Sequence, residues 1–322
     1  MQRVFNGHFW HGHFWTIAPW LKHQVRATPL PPSSPFSVDV DDPAAGPVRL
    51  LGKIRHREGA RAILVIVHGL GGTAESYYVV TAAAQAERAG LASLRLNLRG
   101  AAGDGAGIYH AGLFSDLHAA IASPELDRYE RVLLVGYSIG GHIALRYAAS
   151  GAHDPRVRAV AAICPPLDLE RSVAAIDQPE RWLYRRHVLS GLKEMYAAVA
   201  SRRAVPLPVR EALAIRTIRE WDRRIMTRWF GFQSAEAYYA SESAAPRLRD
   251  LAVPSLIVAT EADPMVPLDT VRPALEAHPL SPLLDVQWLQ LGGHVGFPQA
   301  LSLGFGAVPG LESQVLHWLE RR

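Results

Sequence analysis

Three residues far apart in the chain, Ser138, Asp263 and His294, have the types and settings that nucleophilic acyl chemistry needs. Ser138 is the centre of Gly136-Tyr137-Ser138-Ile139-Gly140, with an apolar run before it and a helix-like stretch after it. That order suits a nucleophile elbow, a sharp strand-to-helix turn that leaves the serine hydroxyl exposed. Glycine at positions 136 and 140 permits the turn, because without Cβ atoms strand and helix can approach closely. A serine hydroxyl is a weak nucleophile near neutral pH, so it needs a base, and the base needs an orienting acid. Asp263 follows an apolar run in Thr260-Glu261-Ala262-Asp263-Pro264, and His294 follows another in Gly292-Gly293-His294-Val295-Gly296-Phe297. The order serine, acid, histidine, each just past a strand, predicts a catalytic triad.

Other residues compete for these roles. Glu261 and Asp269 lie close enough to Asp263 to serve as the acid, although Glu261 sits nearer the strand and is expected to point elsewhere. Of the 14 histidines, His278 precedes its strand and His317 falls within a terminal helix, leaving His294 as the one in context. An oxyanion needs two fixed donors. The backbone N–H of Ile139 is one candidate, and that of Leu70, in His68-Gly69-Leu70-Gly71-Gly72, is the other. The glycines of that loop would also suit a plain turn. Its place after a long apolar strand favours the functional reading.

Two further motifs are set aside. The glycine-rich stretch 100–107 lacks the Gly-x-Gly-x-x-Gly spacing and helix start of a dinucleotide site, and reads as a loop. His8, His11 and His13 have no local cysteine or carboxylate, so aromatic packing is the better reading than a metal site. The chemistry requires no metal and no organic cofactor.

The elements that must hold these residues alternate along the chain. Residues 62–67, 91–98, 131–135 and 157–163 read as strands, and 79–88 and 113–122 as helices between them. Continuous apolar strands alternating with helices predict an α/β fold built on a mostly parallel, doubly wound sheet. Residues 48–55 form an early strand, placed at the sheet edge. After Pro165 and Pro166 the rhythm breaks, and residues 166–244 are helical in composition with no convincing strand. They predict a cap inserted into a core made of residues 48–165 and 245–322. Strands resume at 253–260 and 283–291, followed by a helix at 311–319. Residues 1–47, rich in aromatics, histidine and proline, read as an irregular N-terminal arm.

The bulk properties exclude several classes. The chain has 322 residues, 49% apolar and 20% charged, and a net charge of only +4, so a substantial core is affordable. Only Lys22, Lys53 and Lys193 are lysines, and the arginines are scattered, with no basic stripe of the kind that binds nucleic acid. Cys164 is the single cysteine, which forbids an internal disulfide, and it reads as a buried, inert thiol. No apolar run approaches the roughly 18 residues of a membrane span, and the amino terminus lacks a signal pattern. These features point to a cytoplasmic protein without stable membrane insertion.

Nearly end to end, the chain resembles the YheT-like branch of the α/β-hydrolase family, related to eukaryotic abhydrolase-domain lipases and to alcohol acyltransferases. The resemblance lies in Gly12-His13-Phe14-Trp15-Thr16-Ile17, the 68–72 loop, Asn97-Leu98-Arg99-Gly100, Tyr109-His110-Ala111-Gly112, Gly136 to Gly141, Asp263-Pro264-Met265 and the 292–297 loop. The stretch from Gly231-Phe232 through Tyr238-Tyr239 to Ser243 is similar to that family's cap exit. It implies the same triad, and it implies that the 109–112 segment borders the site. Members of the branch commonly carry a second carboxylate beside the triad acid, where this chain has Ala262.

The expected function is a serine carboxylic ester hydrolase acting through an acyl-enzyme on a small or medium-chain ester. Trp182, Trp221, Trp229 and Phe230 are available to wall an apolar acyl pocket, or to fill the core of the cap. An acyltransferase would use the same residues and pass the acyl group to an alcohol. A binding protein that kept the fold without the chemistry is the remaining alternative, and the complete triad argues against it.

Overall fold

The computed structural model describes residues 7–26, 28–42, 46–105 and 107–322. Helix α1 (Gly7–Val25) precedes an eight-stranded sheet made of β1 (Ser34–Asp42), β2 (Gly46–Arg55), β3 (Ala62–Val67), β4 (Ala92–Leu96), β5 (Arg131–Tyr137), β6 (Val157–Ile163), β7 (Ser255–Thr260) and β8 (Leu284–Leu289). Helices α2 (Tyr77–Arg88), α3 (Ser115–Ile121) and α4 (Ile139–Ala148) alternate with the strands. The spatial order is β1-β2-β4-β3-β5-β6-β7-β8, antiparallel through the β1–β2–β4 pairings and parallel thereafter.

The parallel strands are continuously apolar because both faces are covered. Alternate residues divide between two cores, as the two-residue period of a strand requires. Ile63, Val65 and Val67 of β3 enter one core with Leu117 of α3 and Ile143 of α4. Leu64 and Ile66 enter the other, with Val79 of α2 and residues of the last helix. Parallel strands also bring all their C-terminal ends to one edge, where α/β sheets place their ligands. That edge collects the loops after β3, β5, β6, β7 and β8.

Between β6 and β7 the chain leaves the sheet for α5 (Leu169–Ile176), α6 (Trp182–Ala200), α7 (Val209–Ala214) and α8 (Ile218–Trp221). A π-helical turn (Asp222–Met226), α9 (Thr227–Phe230) and α10 (Ala235–Glu242) complete the excursion. Helix α11 (Leu268–Glu276) links β7 to β8, and α12 (Leu311–Glu320) lies last. Among the described residues, no helix is long and apolar enough to cross a membrane.

Two expectations differ from the structure. Strand 48–55 is not at the edge, because β1 pairs along its full length and takes that place. The described residues before 48 are not irregular either, since they supply β1 and the 19-residue α1. Helix α1 is hard to read locally because Pro19 interrupts it and histidine and tryptophan favour it weakly. Proline lacks an N–H to pair with the Trp15 carbonyl one turn back. That carbonyl instead faces Gly296, where a Cβ would come within 2.1 Å of it.

Candidate active site

The elbow after β5 is built from close backbone contacts. Ser138 has φ 53° and ψ −122°, a region that residues with side chains rarely adopt. A Cβ on Gly136 would lie 2.3 Å from the Gly140 carbonyl oxygen, and one on Gly140 would lie 2.4 Å from that of His68. Neither position admits a larger residue without moving the strand, the helix or the neighbouring loop. The Ser138 N–H donates to the Ile163 carbonyl at 2.8 Å, which ties the turn to β6.

Asp263 and His294 meet across the loops after β7 and β8. His294 Nδ1 lies 2.8 Å from Asp263 Oδ2, and both side chains are buried. Asp263 Oδ1 accepts the N–H groups of Met265 and Val266 at 2.8 and 2.9 Å. A carboxylate with this set of donors is an acceptor only, so Nδ1 carries the imidazole proton and Nε2 keeps its lone pair. Helix α1 adds a support that the local sequence did not reveal. Thr16 Oγ1 accepts the His294 N–H at 2.8 Å and donates to the Gly12 carbonyl at 2.7 Å. Its only signal was the Gly12–Thr16 segment in the family resemblance.

Ser138, His294, Leu70 and Ile139 line one cavity of about 560 Å³. No hydrogen bond joins Ser138 to His294 among the described residues, and such contacts commonly tighten only when substrate is bound. In the 69–72 loop, three N–H groups already have partners: Gly69 donates to Tyr78 Oη, Gly71 to Tyr109 Oη and Gly72 to the Gly69 carbonyl, each at 3.0 Å. Leu70 is left, and among the described residues its N–H and that of Ile139 donate to no other group.

Neutral histidines stiffen the surroundings. Burial pushes His68 down to about 4, so its Nδ1–H donates to the Gly69 carbonyl while Nε2 accepts the Leu98 N–H. Burial likewise lowers His110 to about 3. It lines the cavity with Tyr109 and Ala111, and its ring meets Phe230 and Phe232 edge-on. Of the four aromatics offered for the pocket wall, Trp221 lines the cavity, Trp182 is exposed, and Trp229 and Phe230 are partly buried against the core.

Besides Ser138, the non-glycine residues with positive φ among the described residues are Cys164 and Val295, at 49° and 55°. All three belong to this site, as stored backbone strain often does. The Cys164 thiol is pushed well up by burial, with the nearby Asp263 charge adding to the shift, and it stays protonated. Ligand-type atoms of Cys164, Asp263 and His294 lie within 4.8 Å of one another, the one such grouping among the described residues. Asp263 and His294 Nδ1 are already paired, which leaves no open donor set for a metal. His11 and His13 make aromatic contacts instead, with Trp15 and Tyr184, and the His8 side chain lies outside the described residues.

A sequence profile of the alpha/beta hydrolase fold matches residues 62–300, about three quarters of the chain. The chain belongs to the alpha/beta hydrolase fold family. Within this family it falls in the YheT-like, abhydrolase-domain branch. It is 29% identical over 262 residues to YheT of Escherichia coli, provisionally named an esterase, covering 80% of this chain and 76% of that one. Human phospholipase ABHD3 is 23% identical over 248 residues, covering 75% of this chain and 60% of its own. The yeast monoacylglycerol lipase is 23% identical over 253 residues, covering 74% and 56%. The chain therefore spans less than two thirds of these two eukaryotic relatives.

Among solved structures, the α/β hydrolase GrgF from Penicillium sp. superposes with a TM-score of 0.53 at 20% identity, covering 82% of this chain and 91% of that one. An esterase of Pyrococcus furiosus gives 0.50 at 14%, covering 82% and 84%. These likenesses speak to the alpha/beta hydrolase fold alone.

Proposed function

We propose that this chain is a carboxylic ester hydrolase in which Ser138 is the nucleophile, His294 the base and Asp263 the orienting acid. His294 Nε2 takes the hydroxyl proton as Ser138 attacks the ester carbonyl. The N–H groups of Leu70 and Ile139 hold the oxyanion, and His294 returns the proton to the leaving alcohol. Water, activated by the same imidazole, then releases the acid from the acyl-enzyme. The substrate is a small or medium-chain acyl ester, for which an apolar cavity of about 560 Å³ has a suitable size.

The observation that carries the reading is one cavity that combines a strained serine, an aspartate-paired histidine and two N–H groups with no other partner among the described residues. Kinship with proteins named esterase, phospholipase and monoacylglycerol lipase supports ester hydrolysis as the reaction class. The test is turnover of p-nitrophenyl esters of increasing chain length, with labelling by a fluorophosphonate. Ser138→Ala is expected to abolish labelling and to lower kcat by at least about 10³-fold. Full turnover in that variant would overturn the assignment of the nucleophile.

A further inference from the structure

Helix α1 carries an apolar stripe on its outer side. The side packed on the protein holds Gly12 and Thr16, which meet the loops of Asp263 and His294. Phe14, Leu21 and Val25 lie on the opposite side, within an arc of about 40° on a helix of 3.6 residues per turn. All three are exposed, from 51% at Leu21 to 90% at Val25. Trp20 of α1 and Trp182 and Leu183 in the first turn of α6 extend this surface and are exposed as well. The two helices lie side by side, since His13 stacks on Tyr184 and the Trp20 ring meets His187 edge-on. Among the described side chains, every exposed tryptophan and phenylalanine belongs to α1 or to the first turn of α6.

The cavity that holds Ser138 opens onto the same surface. Among the described residues, its exposed lining side chains are Trp20 and Gln24 of α1, Leu183 and His187 of α6, and Glu75. Four of these five belong to the two helices, and Glu75 is ion-paired with Lys53 and Arg95. Three exposed cations, Lys22, Arg26 and Arg186, accompany the apolar side chains. Glu180 is the one acidic residue in the stretches 7–26 and 179–190. An exposed apolar patch with a polar rim marks a surface of association. Tryptophan and aliphatic side chains with lysine and arginine beside them are what a helix lying in a lipid–water interface carries. A protein seated on this surface would close the mouth of the cavity, whereas a lipid surface would hold apolar molecules against it.

We infer that the outer face of α1 and the first turn of α6 dock this protein, peripherally and reversibly, on an anionic lipid surface. The apolar side chains enter the interface, the cations meet the lipid headgroups, and the cavity mouth faces the lipid. That the cavity then draws its ester from the lipid rests on the proposed hydrolysis at Ser138, whereas the docking itself does not.

The test is sedimentation of the full chain with sucrose-loaded phosphatidylcholine vesicles, with and without about one third phosphatidylglycerol. The wild type is expected to sediment with the anionic vesicles. Leu21→Glu combined with Val25→Glu is expected to weaken that binding at least about 10-fold. Lys22→Gln combined with Arg26→Gln is expected to weaken it at least about fivefold on anionic vesicles and little on neutral ones. Thermal midpoints and turnover of soluble p-nitrophenyl acetate should stay near wild type in both variants, which separates lost docking from lost folding. Turnover of p-nitrophenyl decanoate carried in the vesicles should fall in step with binding. Wild type that stays in the supernatant, or variants that bind as it does, would overturn the inference. A dimer in solution that Leu21→Glu disperses, without vesicle binding, would assign this face to a second copy and overturn it too. Vesicle binding with the expected variant losses, but no hydrolysis of either ester, would support the docking face and remove the esterase reading alone.

Discussion

Three carboxylates lie within nine positions of one another after β7, and hydrogen bonding separates them. Asp263 is buried and binds His294, whereas Asp269 is exposed and Glu261 is exposed with Arg272 at 3.8 Å. Thr16 belongs to the same network, because removing its hydroxyl strands the His294 N–H. Thr16→Val is expected to lower stability by about 1–3 kcal/mol and kcat several-fold, read by urea unfolding and ester turnover. Asp222 offers a pH test. Burial raises it to about 7 from an ordinary 3.8, so the folded chain holds a proton that the unfolded chain has already released. Its contribution is therefore most favourable below about pH 4 and is lost as pH rises toward 7, by about 2–4 kcal/mol. Thermal midpoints measured across that range should show Asp222→Asn without this loss. The elbow serine and its glycines were legible in sequence because their requirements are local. Thr16 and Asp222 were not, since nothing in their neighbours in sequence shows what they face.

Helix α1 works as a brace. A Cβ on Gly12 would come within 1.7 Å of the Ala262 carbonyl oxygen, and one on Gly293 within 2.2 Å of the Gly12 carbonyl oxygen. The helix thus lies directly against the loops that carry Asp263 and His294, and His13 stacks on Tyr184 of α6. Gly12→Ala must push α1 away from the Asp263 loop. We expect kcat for a short ester to fall about 10-fold or more, since small displacements of catalytic groups are costly. Retention of wild-type kcat would show that α1 is not needed to hold the triad. Legibility differs sharply between elements. The parallel strands and α2, α3, α4 and α12 follow apolar patterns and turn residues that can be read within one window. Helix α1 owes its form to partners some 250 to 280 positions away, beyond any local pattern.

At the scale of the whole molecule, Arg99 ties separate layers together. Its guanidinium is 1% exposed and meets Asp116 of α3 in a bidentate pair at 3.0 and 2.6 Å, and Asp42 of β1 at 2.6 Å. Arg99→Met leaves the buried Asp116 carboxylate without its cation and should cost about 3–5 kcal/mol in urea unfolding. The exposed Arg49–Asp39 pair, also at a β1 contact, should leave the unfolding midpoint nearly unmoved when Arg49 becomes Met. A comparable loss at both positions would contradict this division between buried and surface pairs. The sequence by itself determined the strand–helix alternation, the elbow and the order in which serine, acid and histidine follow their strands. Each of those is set by short-range backbone demands and by the burial pattern of a two-sided sheet. Only the tertiary structure decided that α1 braces the loops of Asp263 and His294, that Leu70 has the one N–H of its loop without a partner among the described residues, and which cap side chains face the cavity. The reason is physical: these properties belong to contacts between distant segments, where packing and the pairing of buried polar groups override local preference.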